Sequence, residues 1–246
     1  MPAAKIVTSS ESNPFIKQLA SSDRSIRDRA LSSLRTYLHR STPFTELDLL
    51  KLWKGLHYCM FMSDKPRNQQ RLARDLAALA DVLAPANVVP WLAAFWRTIG
   101  REWGSIDSLR MDKYLYLIRC YVNKGFELCA KKKWDEDFVQ RYSEVLEADG
   151  GPLSLRDMKV PNGLRLHVLD IWLDELQKVD EQRQAPLIRV MAPISKLKTG
   201  SLAKSVRERA KESFEDDRLL DGSAWRPEND EEEEEQPDAG FCGLDE

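Results

Sequence analysis

Cysteine and histidine are scarce in this chain: four and three of 246 residues. Cys59, Cys120 and Cys129 stand inside apolar periodic stretches and Cys242 in an acidic one. No two form a C-x-x-C pair, so neither a zinc site nor a disulfide framework is indicated, and the thiols read as small buried hydrophobes. Long apolar runs are missing as well: none approaches the roughly 20 residues that a bilayer-spanning helix needs. Residues 1–12 carry one lysine and no apolar h-region, which excludes a secretory signal; the expectation is a protein made and kept inside the cell. Catalytic signatures are absent too. No G-x-x-x-x-G-K-[ST], G-x-G-x-x-G, H-E-x-x-H or G-x-S-x-G occurs. The expectation is a protein that is not an enzyme, needs no cofactor or metal, and takes no small-molecule substrate.

Charge of one sign is missing from the last 19 residues: Glu228–Glu246 holds ten acids and no Lys or Arg. Removing those ten from the 40 acids leaves 30 against 37 bases, so the net charge of -3 conceals a body of about +7. A basic body favours a polyanion, and an acidic tail competes for or shields the same surface.

What is present is one amphipathic helical pattern after another, with no strand alternation. Asn13-Pro14 opens a short first helix. Asp23 caps a second, with Ile26, Ala30, Leu34 and Leu38 on one face. Thr45 opens a third through Leu49, Leu52, Trp53, Leu56 and Met60. Asp64-Lys65-Pro66 marks the next turn, and a fourth helix runs through Leu72, Leu76, Leu79 and Leu83. Pro85-Ala86-Asn87 separates it from an aromatic-rich fifth through Trp91, Phe95, Trp96, Ile99 and Trp103. A long sixth passes through Leu109, Leu115, Ile118, Val122 and Phe126 and closes near Lys131-Lys132-Lys133. Beyond a helix through Tyr142, Gly150-Gly151-Pro152 is the strongest internal break. A helix through Leu166, Leu169, Leu173 and Leu176 follows, then two weaker segments near 187–198 and 202–214. Short Pro- or Gly-marked turns favour antiparallel neighbours. The expected fold is therefore all-α, a HEAT-like α-solenoid of stacked helical hairpins with degenerate repeats. Its bounds are a disordered N-terminus over 1–12, a helical domain over 13–215 with weaker helices after 180, and a disordered acidic tail over 216–246.

Candidate contacts are few. Lys65, Arg67, Arg71 and Arg74 place positive charge at the start of the fourth helix and along one face, where they suit phosphates or an acidic partner; Arg101 is a further basic candidate. Lys131, Lys132 and Lys133 make a phosphate or nuclear-import patch, although lysines at a helix C-terminus are expected on dipole grounds alone. His167, Asp170 and Asp174 share a helical face at i, i+3 and i+7. That face suits a metal, as a metal-dependent ribonuclease requires, but one histidine without cysteine is a thin ligand set, and a polar, partner-facing stripe is the plainer account. His39 reads as a helix C-cap and His57 as a satisfied interior or interface imidazole. Asp107/Asp112 and Asp135/Asp137 sit at helix starts, where acids are commonplace. Of the dense aromatics, among them Trp53, Tyr58, Phe61, Trp91, Phe95, Trp96, Trp103, Tyr114 and Tyr116, most belong to the core, and exposed ones are anchors for a protein partner.

Three stretches carry a resemblance: LWKGLHYCMFMSDKP over 52–66, FWRTIGREWGSID over 95–107 and GLRLHVLDIWLDEL over 163–176, with LRMDKY at 109–114 between them. Together they resemble the ribosomal RNA-processing protein 1 family, the nucleolar Nop52 type, over about Asn13 to Val179 and in the family's order. The resemblance implies a non-enzymatic assembly factor of the nucleus and nucleolus, acting in the pre-60S particle on maturation of the 27S-type precursor and its internal spacers. It also implies company: a Brix-domain RNA-binding protein, a WD-repeat propeller protein and a Mak-type maturation factor, with pre-rRNA a possible direct partner and no membrane. Relatives carry a lysine-rich C-terminal extension where this chain is acidic, so no RNA role is carried over onto 228–246. A generic HEAT-like adaptor for import or signalling is the alternative.

Overall fold

The computed structural model describes residues 14–19 and 21–220, and among these there is no strand. The expected disordered ends therefore lie outside the described residues, apart from 216–220. Among the described residues eleven α-helices follow one another: α1 Pro14–Leu19, α2 Arg24–Leu38, α3 Glu46–Phe61, α4 Pro66–Ala77, α5 Pro85–Glu102, α6 Ser108–Lys131, α7 Glu136–Glu147, α8 Asn162–Val179, α9 Leu187–Gly200, α10 Lys204–Glu212 and α11 Asp217–Leu220.

The helix starts follow from orphan N–H groups that short polar side chains satisfy. Asp23 accepts from Ser25 N, Thr45 from Asp48 N, Asp107 from Arg110 N and Asp135 from Phe138 N. Asp107 and Asp135 are thus caps, as acids at helix starts should be. Pro14, Pro66 and Pro85 occupy first-turn positions, where a missing N–H costs nothing.

Two boundaries differ from expectation. The pattern through Leu79 and Leu83 does not extend α4: after Ala77 the chain tightens into a 3-10 turn over Ala78–Val82, which keeps Leu79 and Ala80 buried. Pro85-Ala86-Asn87 is no separator but the first turn of α5, with Asn87 buried; its side chain accepts from Phe44 N and donates to the Thr42 carbonyl. Gly150, at φ 81, sits in the predicted break, where only a residue without Cβ enters the left-handed region freely.

Cross-links between helices reveal their order. Arg74 meets Tyr116 and Asp81 meets Lys124, so α4 and α6 run parallel; Leu115 meets His167 and Arg119 meets Glu175, so α6 and α8 do too. Asp170 pairs with Arg209, extending that row to α10, while Glu136–Arg189 and Glu147–Lys196 set α7 parallel to α9. Across the rows the sense reverses: Lys113 reaches back to the Phe61 carbonyl, and Tyr114 to that of His57. One row is α4, α6, α8 and α10; the other is α3, α5, α7 and α9, with α1 packed on α2 and α3. Stacked antiparallel hairpins produce this order.

Between the rows lies one continuous apolar core. Trp53, Trp91, Phe95 and Tyr121 meet edge-on, tilted or stacked with centroids 3.7–5.1 Å apart. The Trp91 indole donates to the Tyr121 hydroxyl, which donates to the Leu76 carbonyl, so this polar atom costs little to bury. No helix among the described residues is long and apolar enough to cross a membrane.

Candidate nucleic-acid and partner interface

Positive charge is plentiful, so what selects a site is which cations are left free. Within the α6–α8 region they are neutralised. Glu175, almost wholly buried, accepts from Arg119 (2.6 Å), Asn123 (3.0 Å) and Lys178 (2.6 Å). Lys124 pairs with Asp81 at 3.0 Å and with Glu127.

The expected lysine patch is largely spent in the same way. Lys131 pairs with Asp81 at 2.6 Å, and Lys132 lies over the Phe138 ring; only Lys133, in a left-handed turn at φ 55, is unengaged. Arg101 is exposed but shares Glu102 with Lys54.

The α4 set behaves differently. The side chains of Lys65, Arg67 and Arg71 are exposed and have no ion-pair or hydrogen-bond partner among the described residues. Arg74 touches only a neutral group, the Tyr116 hydroxyl, at 2.9 Å. Arg35 on α2, which the sequence pattern did not single out, faces the same groove and is equally unpaired. Its signal was available: it stands on the polar face of α2, seven residues after Asp28. Arg24 is there as well, in a 3.4 Å pair with Asp28. The groove between α2 and α4, about 470 Å³, is lined by Arg24, Arg35 and Arg71 against Asp28 and Asp75. It continues past Lys65 and Asn68 into a neighbouring hollow of about 310 Å³. Cys59 lines that hollow, its thiol pushed up to about 11 by burial, so it stays protonated. The other described cysteines behave alike: burial pushes Cys120 to about 11 and Cys129 to about 12.

The proposed metal face is rearranged by its neighbours. His167 sets Nε2 3.0 Å from the Leu115 carbonyl, and burial lowers its pKa. Asp170 is paired with Arg209, and Asp174 with Arg119 at 3.5 Å and Arg218 at 3.1 Å. These arginines tie α8 to α6, α10 and α11, so the stripe joins helices, while its two carboxylates keep side-chain exposures of 41% at Asp170 and 40% at Asp174. Among the described residues no three His, Cys, Asp or Glu side chains converge as metal ligands.

His57 departs from expectation in another way. Its ring is buried and stacked on Tyr114 with centroids 4.8 Å apart, yet neither nitrogen has a hydrogen-bond partner. Burial lowers its pKa to about 4, against an opposing pull from Glu102 and with help from Lys54, Arg101 and Lys113. His39 fills the C-cap position of α2 as expected, its Nδ1 3.2 Å from the Val82 carbonyl. Of the aromatics, Trp53, Trp91, Phe95, Trp96 and Tyr114 are core, whereas Tyr58 is exposed.

Comparison with known proteins adds an independent finding. A family model described as nucleolar protein Nop52 matches residues 10–240. The chain is 39% identical to ribosomal RNA processing protein 1 homolog B of Homo sapiens over 171 residues, 67% of this chain and 22% of that protein. It is 38% identical to homolog A of Mus musculus over 169 residues, 66% of this chain and 34% of the relative. A ribosomal RNA processing protein 1 homolog of Drosophila melanogaster is 31% identical over 182 residues, 72% of this chain and 26% of its own. The chain thus spans about a fifth to a third of the length of these curated relatives.

Proposed function

The chain belongs to the Nop52 family of nucleolar proteins, and on that premise we propose that it is a non-enzymatic nucleolar factor of ribosomal RNA processing, acting in assembly of the large-subunit precursor. The family match over residues 10–240 carries this reading. In it, the helical rows serve as a scaffold for other pre-60S factors, a Brix-domain RNA-binding protein, a WD-repeat propeller protein and a Mak-type maturation factor among them. Pre-rRNA is touched directly along α2 and α4. The free cations of that groove support the RNA contact, because only cations not already neutralised by the protein release counterions from phosphates on binding.

Depletion of the protein, followed by hybridisation of labelled probes to precursor rRNA, tests the role. The reading expects 27S-type precursor to accumulate and mature large-subunit rRNA to fall while small-subunit rRNA is spared. Unchanged precursor ratios after complete depletion contradict it.

A further inference from the structure

Large apolar side chains stranded on a surface are informative when they line up. Four of the exposed ones stand at the hairpin connections on a single edge of the molecule: Met62 after α3, Leu109 at the start of α6, Met158 before α8 and Leu202 before α10. Their exposures are 38%, 93%, 67% and 74%. The others, Leu47, Tyr58 and Ile188, are scattered over α3 and α9.

The four connections touch one another in chain order. Arg110 lies over the Phe61 ring at 4.2 Å, and Lys113 donates to the Ser63 carbonyl at 3.0 Å, which joins the first connection to the second. Gly163 packs on Trp103 and Gly200 on Leu155, which joins the second to the third and the third to the fourth. Leu109 falls within the apolar spacing of α6, yet nothing among the described residues covers it. Beside these apolar residues stand cations without ion partners among the described residues: Lys65 beyond Met62, and Arg156 and Lys159 on either side of Met158.

We propose that this edge docks an acidic amphipathic helix of a partner protein, one that presents an apolar residue every seven positions flanked by Asp or Glu. Its spacing fits: packed helices stand about 8–10 Å apart, and seven helical residues advance about 10.5 Å, so one apolar residue meets each connection. Its charge fits the unpaired Lys65, Arg156 and Lys159. The inference rests on the scaffold reading and names the kind of partner held, on an edge that meets the α2–α4 hollow at Met62 and Lys65 and extends away from it.

Fluorescence anisotropy of the full chain with a labelled 21-residue helical peptide, leucines at seven-residue intervals among glutamates, tests it. Peptides with lysines for the glutamates, or with leucines spaced by five, are the controls. Saturable binding of the first peptide alone is expected, with a loss of about tenfold or more in the double variant Leu109→Glu/Met158→Glu. Both positions are exposed, and an unchanged thermal melt verifies the fold of the variant. No binding to the wild type, equal binding of the control peptides, or indifference to the double substitution overturns the proposal. So does a variant that loses RNA retention and keeps the peptide, since the edge is then an RNA surface. A failed edge with intact salt-dependent RNA binding leaves the scaffold role standing; failure of the depletion experiment strikes the role itself.

Discussion

At the scale of single residues the core shows little tolerance. Gly125 on α6 faces the Tyr142 ring of α7, and a Cβ at that position overlaps the ring. Gly125→Ala is expected to destabilise the fold by about 1–3 kcal/mol, the usual range for overpacking, read as a lower urea midpoint at unchanged slope. Truncating Tyr142 in the same chain should recover part of the loss, since substitutions at touching neighbours are not additive. His57 makes a different prediction. Its folded pKa of about 4 lies below the 6.5 of an accessible imidazole, so as pH falls the unfolded chain takes up the proton first. Its contribution to stability is whole above about pH 6.5 and is lost as pH drops toward 4. His57→Phe should remove that part of the acid limb when urea midpoints are compared from pH 7 to 4; identical pH profiles for the two proteins exclude the assignment. The sequence pointed to an interior or interface position for His57 with its nitrogens satisfied, and missed that they lack partners, because Tyr114 comes from 57 positions away and its hydroxyl goes to the His57 backbone instead of the ring.

At the scale of elements, what was legible was local. The caps Asp23, Thr45, Asp107 and Asp135 and the first-turn prolines Pro14 and Pro66 act within three or four residues of themselves, and each stands where the sequence put it. What was hidden depends on partners about 40 to 55 residues away. Nothing around Lys131 shows that Asp81 will claim it, and nothing around Asp170 shows that Arg209 will. The apolar spacing of α6 likewise included Leu109, which the packing leaves bare. Glu175 is the clearest case: a carboxylate inside an apolar stretch of α8 gathers Arg119 and Asn123 from α6 and Lys178 from its own helix. Removing Glu175 leaves Arg119, 32% exposed and still beside Asp174, and Lys178, 57% exposed, so the loss is that of charge-assisted hydrogen bonds, about 1.5–3 kcal/mol. Glu175→Ala should therefore destabilise by about that amount in equilibrium unfolding. A loss below about 1 kcal/mol, the value of an exposed ion pair, contradicts the role of Glu175 as the joint between α6 and α8.

At the scale of the molecule, the all-α class and the sequence of helices follow from periodicity and breaks, and the family from three stretches of residues. The interface does not follow so simply. A surplus of about seven positive charges over Met1–Pro227 says nothing about where it acts, because many cations are engaged by the protein's own groups, among them Lys124, Lys131 and Arg209. The largest group left unpaired, Arg35, Lys65, Arg67 and Arg71, lines α2 and the start of α4, whereas Lys133, Arg156 and Lys159 stand apart from it, and this grouping is the basis for assigning RNA contact there. The most direct measurement is filter binding of the purified chain to precursor rRNA over a salt series, beside Arg67→Glu/Arg71→Glu and a variant with Lys131, Lys132 and Lys133 changed to alanine. The account predicts a linear fall of log affinity with log salt for the wild type. The slope should be shallower by about two in the α4 variant, roughly one for each phosphate-binding arginine replaced, and close to wild type in the lysine variant. Retention that is flat across the salt series, or an α4 variant that binds like the wild type, contradicts it.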